Sequence, residues 1–500
     1  MKTAAVILLT ALLLSACGTG KLVVTPHTKY APEQLQKDYA VYRKTLEAHH
    51  PSLYWYTPRD SMDYYFEKGE EQLRDSLTEP QFRKILSYVT AKINCGHTSI
   101  RSSKGWNRYK DTSRLRIFPL SVKMWADTMV VTANLNRKDS LLTRGTIVTK
   151  INGLSVNRIA DTLFGYISTD GYNETHKYQT LSNRGFFGSL YSSLFGLSDQ
   201  YTVEYLDSNN HRQTTIIPVY DPAKDTVRGT VLRRPVRNLP KPSRKERKRQ
   251  RQSLVRLLQM DTVNHTAMMR LYSFGRGYGL KGFYRRSFRA LRKNDIGHLI
   301  IDVRSNGGGS VNNSTLITRY LADNPFKISD TLYATRKKSP YEKYIQNHFW
   351  NKLFIDLFTR RKKDGYYHFG YFERHQFKPQ KKNHYEGKVY ILTGGNSFSA
   401  TTLFASALRE QENVTLIGEE TGGGAYGNSA WLIPDVTLPE TGVRFRLPLF
   451  RLVINSTLPK NGKGVQPEVP ALPTVNAIRE NKDFKTEKAL ELIRQDKEKN

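Results

Sequence analysis

Two glycine-rich breaks, each entered directly from an apolar run, constrain this chain more than any other feature. The first is His298-Leu-Ile-Ile-Asp-Val303 leading into Arg304-Ser305-Asn306-Gly307-Gly308-Gly309-Ser310. The second is Lys388-Val-Tyr-Ile-Leu-Thr393 leading into Gly394-Gly395-Asn396-Ser397-Phe398-Ser399-Ala400. Short uninterrupted apolar runs are the pattern of strands covered on both faces. Val414-Thr-Leu-Ile417 is a third. Such strands, alternating with helical stretches over about 263–475, predict an α/β layer structure.

Both breaks suit chemistry. Glycines let the backbone turn tightly and let a reacting group come close to N–H donors. Donors aimed at a developing oxyanion are a large catalytic term, about 3–4 kcal/mol for one. Phosphate binding is the competing use of the first loop, but no Gly-Lys-Ser/Thr follows, so a Walker loop fails. In the second, Ser399 falls between a strand and a helix carrying Leu403, Ala407 and Leu408 on one face. A serine there meets the positive end of the helix dipole, with the Ala400 amide as a donor. The plainer reading makes Ser397 or Ser399 an N-cap. The segment is not a G-x-S-x-G elbow.

Ahead of this region the pattern changes twice. Residues 18–112 read as a tether and a helical domain. Thr78-Glu79-Pro80-Gln81 is a capping box, and Phe82, Ile85, Leu86, Val89 and Ile93 follow at helical spacing. Gly96 is the expected stop, which puts His97 just past a helix end. Residues 113–220 read as short alternating strands, with Asn152-Gly153 as a hairpin turn. Residues 476–500 are expected to end in an exposed amphipathic helix.

The chain opens as an export signal over residues 1–17. Ala4 to Leu14 is apolar but short of the ~20 residues a spanning helix needs. Leu14-Ser15-Ala16-Cys17 resembles the lipobox of bacterial lipoproteins, which makes Cys17 the lipidated residue and leaves Cys95 without a disulfide partner. An ordinary secretory signal is the alternative. A Cys95 nucleophile, with His97 two residues on, is a weaker reading than a serine one. Gly18 after the Cys lacks the acidic residue linked to inner-membrane retention, so the expected location is the outer membrane, facing the periplasm.

The formal net charge is +33, a surface suited to anionic partners. Residues 221–262 concentrate it, from Arg233 to Arg251 with Pro235, Pro240 and Pro242 among the cations. Like-charge blocks stay extended, so a solvated linker is expected and headgroup binding is the sharper alternative. No nucleic-acid module is recognisable and no nucleic-acid partner is expected. The His residues are scattered, with no His-Glu-x-x-His, so no metal and no cofactor are expected.

Taken together, Asp302-x-Arg304-x-Asn306-Gly307-Gly308-Gly309, Ser397-x-Ser399-Ala400, Gly418-Glu419-Glu420-Thr421-Gly422-Gly423 and Gly464-Val465-Gln466-Pro467-Glu468 resemble the C-terminal processing (tail-specific) and tricorn-like serine peptidases. Order and spacing match through roughly 270–470. The resemblance implies a crotonase/ClpP-like spiral core behind a helical domain and a PDZ-like domain. Arg144 to Val156 is similar to one PDZ hairpin, a module that binds extended chains at a sheet edge. It makes Ser399 the nucleophile and gives the oxyanion hole to Gly307, Gly308 and Ala400.

A nucleophilic serine needs a base. The Lys of tail-specific members is replaced here by Gly424, and no Lys stands between Lys388 and Lys460. Tricorn-like members use a His from an earlier domain, and Gly96-His97-Thr98 resembles their segment, so His97 is the expected base. Glu419 or Glu420 is the candidate third member, because Asn461-Gly462-Lys463 supplies no carboxylate where relatives place one. The expected function is a serine endopeptidase acting through an acyl-enzyme on polypeptides of the cell envelope. A non-catalytic binding lipoprotein on the same fold is the alternative, and a surface adaptor for acidic polymer a third.

Overall fold

In the computed structural model, residues 24–225 and 242–499 are described. Cys17 and the linker cations Arg233, Arg234, Arg237 and Lys241 lie outside them. The centre is a six-stranded sheet in the order 256–261, 266–271, 298–302, 388–393, 414–418, 469–470. The first pair is antiparallel and the rest are parallel. Its apolar runs are covered on both sides, which is why they lack alternation. Leu299, Ile301, Val389, Ile391 and Leu416 pack into one cluster with the helices Leu280–Lys293, Val311–Leu321 and Ala400–Leu408. The intervening Ile300, Tyr390, Leu392 and Ile417 pack against Ala489 and Ile493 of the last helix, Phe484–Lys499.

That last contact corrects one expectation. The C-terminal helix is the second face of the sheet rather than an exposed appendage. A second correction concerns the basic linker. Arg244–Ser253 is a helix closed by a Ser243/Glu246 capping box, and Arg256–Asp261 is already a strand of the core sheet. The cap and the solvated side chains support a helix that repulsion alone disfavours.

The N-terminal helices Pro32–His49, Arg59–Glu70 and Glu79–Ala91 share one apolar cluster with a five-stranded sheet of the C-terminal half. The capping box forms as expected, with Thr78 N donating to Gln81 Oε1 at 2.9 Å. The helix stops at Ala91, and Asn94 takes the left-handed turn at φ +54°. Gly96 instead makes room for a neighbour, since a Cβ there would stand 2.5 Å from Phe398 Cζ.

Residues 120–218 form an antiparallel sheet, with the Asn152-Gly153 turn at φ +49° and +78°. They also hold the helices Val156–Phe164, Glu174–Ser182 and Phe186–Phe195, which strand alternation did not reveal. The loop before Glu174 wedges between the other two parts. Gly171 N donates to Asn94 O at 2.9 Å, and Tyr172 N to Gly462 O at 3.0 Å. Among the described residues no helix is long and apolar enough to cross a membrane.

Candidate active site

The strand Lys388–Thr393 ends at a loop that is tied down before it reaches Ser399. Buried Ser397 donates its hydroxyl to Val303 O at 2.9 Å and accepts from Gly394 N at 3.2 Å. Phe398 N donates to Asn306 O at 3.1 Å. Ser397 is therefore a structural serine that joins the two glycine-rich loops. Ser399 occupies the N-cap position of Ala400–Leu408, yet its side chain makes no capping bond. Its backbone sits at φ +57°, ψ −120°, a conformation costing about 1–3 kcal/mol for a residue with a Cβ. The hydroxyl is spared from capping and held on a strained corner.

The first glycine loop closes over this corner. A Cβ on Gly308 would lie 2.6 Å from Phe398 O, 2.8 Å from Ser399 Cβ and 2.9 Å from Ala400 N. Only glycine permits that approach, and Gly308 is also at φ +93°. The expected oxyanion donors divide. Ala400 N is one of the first-turn amides that a helix leaves without an internal acceptor. Gly308 N already donates to Asn306 Oδ1 at 2.9 Å, while Gly307 is exposed on the loop. Gly309, one residue further, lines a cavity of about 620 Å³ together with Ser399, Phe354, Phe369, Trp431 and Arg446.

His97 reaches this region from the helical domain. Its ring packs on Phe398 with centroids 4.8 Å apart, and His176 stacks on the same ring at 5.0 Å. Neither nitrogen of His97 has a hydrogen-bond partner, so no bond joins it to Ser399. The carboxylate beside it is Asp170, 3.9 Å from Nδ1. Asp170 accepts from Gly96 N at 2.8 Å and from Gly424 N at 3.3 Å. Burial pushes His97 down to about 3 and Asp170 up to about 7. At 3.9 Å without a hydrogen bond their attraction does not offset desolvation, so the imidazole rests neutral.

Glu419 is placed elsewhere. Lys485 of the last helix holds its carboxylate at 2.6 Å and also donates to Thr393 O at 2.7 Å. Burial raises Glu419, but Lys485 and Lys123 outweigh it and hold it below the usual carboxylate range. Glu420 accepts from Gly464 N at 2.6 Å and Thr175 Oγ1 at 3.0 Å. Neither forms an ion pair with His97, and Asp170 takes the adjacent position instead. Its sequence signal was only an Asp-Gly turn at 170–171. Asp302 and Arg304 are structural too: Arg304 Nε donates to Asp302 Oδ1 at 2.9 Å and Nη2 to Asp483 Oδ2 at 2.7 Å. Cys95 is buried, and desolvation pushes its thiol up to about 11, unlike a reactive thiol.

A mostly parallel core thus carries a strained serine at a helix start, roofed by a glycine loop. Residues 265–471 match the sequence model of peptidase family S41. Among solved structures the chain is similar to mature CPAF, at 13% identity and TM-score 0.62 over 92% of this chain and 96% of that one. A serine-to-alanine mutant of CPAF superposes at 12% identity and TM-score 0.64, covering 92% and 96%. At these identities the likeness concerns the fold. No curated protein matches the chain.

Proposed function

We propose that this chain is a serine endopeptidase of the bacterial cell envelope, tethered through a lipidated Cys17 on the outer membrane and facing the periplasm. The carrying observation is Ser399: uncapped, strained, and open to a cavity of about 620 Å³ large enough for substrate side chains. Ser399 Oγ attacks a peptide carbonyl, and Ala400 N with the glycine loop receives the oxyanion. His97 is the base. It takes the Oγ proton, returns it to the leaving amine, and then activates the water that hydrolyses the acyl-enzyme. Since no bond joins His97 to Ser399 here, catalysis requires the imidazole to move past Phe398 toward Oγ. Such bonds often form only with substrate present. The residue 120–218 sheet acts on this reading as a PDZ-like module that receives an extended chain. A CPAF complex with lactacystin has been solved, which fits a reactive serine in this fold.

The test is hydrolysis of an unfolded protein together with labelling by a fluorophosphonate. Wild type is expected to cleave and to label at Ser399, and Ser399→Ala to do neither. Full hydrolysis by Ser399→Ala would refute the assignment.

A further inference from the structure

Next to the cavity of Ser399 lies a second, of about 650 Å³. Asn312, in the first turn of the helix that leaves the glycine loop, lines both. The charged residues lining the second are all cationic: Lys281, Arg285 and Arg319. Lys281 and Arg285 belong to the helix Leu280–Lys293, whose sequence LKGFYRRSFRALRK contains no acid. Among the described residues no carboxylate lies within 4 Å of these three cations. Arg319 spends one N–H on Lys378 O at 2.8 Å, out of five it carries. The wall also holds Thr315, 5% exposed, whose hydroxyl has no partner. A buried orphan hydroxyl costs about 1–3 kcal/mol, and a bound oxygen would satisfy it.

Three uncompensated cations and an orphan hydroxyl make a receptor for a carboxylate. The geometry points to a substrate subsite: Lys281, Arg285, Arg319 and Thr315 receive a carboxylate of the polypeptide whose scissile bond lies on Ser399. This rests on the peptidase reading. A free anion would leave the shared Asn312 wall without a purpose, whereas a chain leaving Ser399 along the helix passes it. From Asn312 to Arg319 the helix rises about 10 Å, which three extended residues span. The carboxylate is supplied by an Asp or Glu side chain or by the substrate's own C-terminus.

Binding is measured on Ser399→Ala protein by anisotropy of dye-labelled peptides of one length. They carry Asp-Asp or Asn-Asn beside the cleavage position, each with a free or amidated C-terminus. A carboxylate-bearing peptide is expected to bind about tenfold tighter than the Asn-Asn amide, and Lys281→Gln/Arg285→Gln/Arg319→Gln to abolish the difference. Loss on amidation assigns the terminal carboxylate, and loss on Asp-to-Asn exchange the side chain. Thr315→Val should weaken only the acidic ligand. Arg285→Gln, an exposed change, repeats the test should the triple variant melt early. A preference that survives neutralisation, or no preference at all, overturns the subsite. Failure of wild type to hydrolyse any peptide would instead overturn the peptidase reading and leave the binding result standing.

Discussion

The ring of His97 lies on the ring of Phe398 at 4.8 Å, and Phe398 is the residue before Ser399. Gly96 completes the contact, since its Cβ position falls 2.5 Å from Phe398 Cζ. The approach to the serine is thus set by a turn of the helical domain. Gly96→Ala should push Phe398 away and displace Ser399 with it. We expect fluorophosphonate labelling to slow at least tenfold, with a stability loss of about 1–3 kcal/mol from overpacking. Unchanged labelling in a folded variant would show that Phe398 does not position the serine.

Ser399 stores backbone strain that is independent of its hydroxyl. Ser399→Ala and Ser399→Gly both remove the hydroxyl, but only glycine adopts φ +57°, ψ −120° freely. Ser399→Gly is therefore expected to be more stable than Ser399→Ala by about 1 kcal/mol, even after the larger entropy of the unfolded glycine chain is counted. Chemical denaturation of the two variants measures it. An alanine variant as stable as the glycine one would mean the corner is relaxed in solution.

Asp170 gives stability a pH dependence. Its carboxyl ionises near 3.8 when unfolded and at about 7 in the buried fold. A raised folded value means its contribution is fully present below pH 3.8 and is lost as pH rises toward 7. The full loss is on the order of 4 kcal/mol. His97 acts oppositely, since the buried ring stays neutral while the unfolded one protonates below 6.5. The difference between wild type and Asp170→Asn isolates the carboxyl. The Asn variant should gain on wild type between about pH 4.5 and 7.5 in thermal melts; a constant difference would mean Asp170 ionises normally.

The elements around the serine were legible because each carries local punctuation. The strand runs into 307–309 and 394–399, the capping box at Thr78 and the Asn152-Gly153 hairpin all form where the sequence puts them. The polar partners were not legible, because they depend on long-range contacts. Asp170 meets Gly96 and Gly424 from 74 and 254 residues away. Glu419 stands next to the segment where relatives carry a base, yet it serves a lysine 66 residues on. Nothing local distinguishes a carboxylate that orients a histidine from one that buries a lysine.

That lysine leads to the last prediction. Lys485 is 2% exposed and bridges Glu419 and Thr393 O, the ends of the two strands that flank the serine loop. A Cβ on Gly394 would stand 2.9 Å from its Nζ, so the ammonium also fixes where that loop begins. Removing one partner of a buried pair strands the other charge, at a cost of up to about 3–5 kcal/mol, and Lys123 at 3.9 Å from Glu419 offsets part of it. Lys485→Met should destabilise by the remainder and slow labelling at Ser399, although the residue lies in the terminal helix. Adding Glu419→Gln removes the stranded charge, so the double variant should recover much of the stability. If Glu419 were instead the group that orients His97, the double variant would regain stability but lose activity beyond Lys485→Met alone. Activity that follows stability from wild type through both variants places the pair beneath the site as its support.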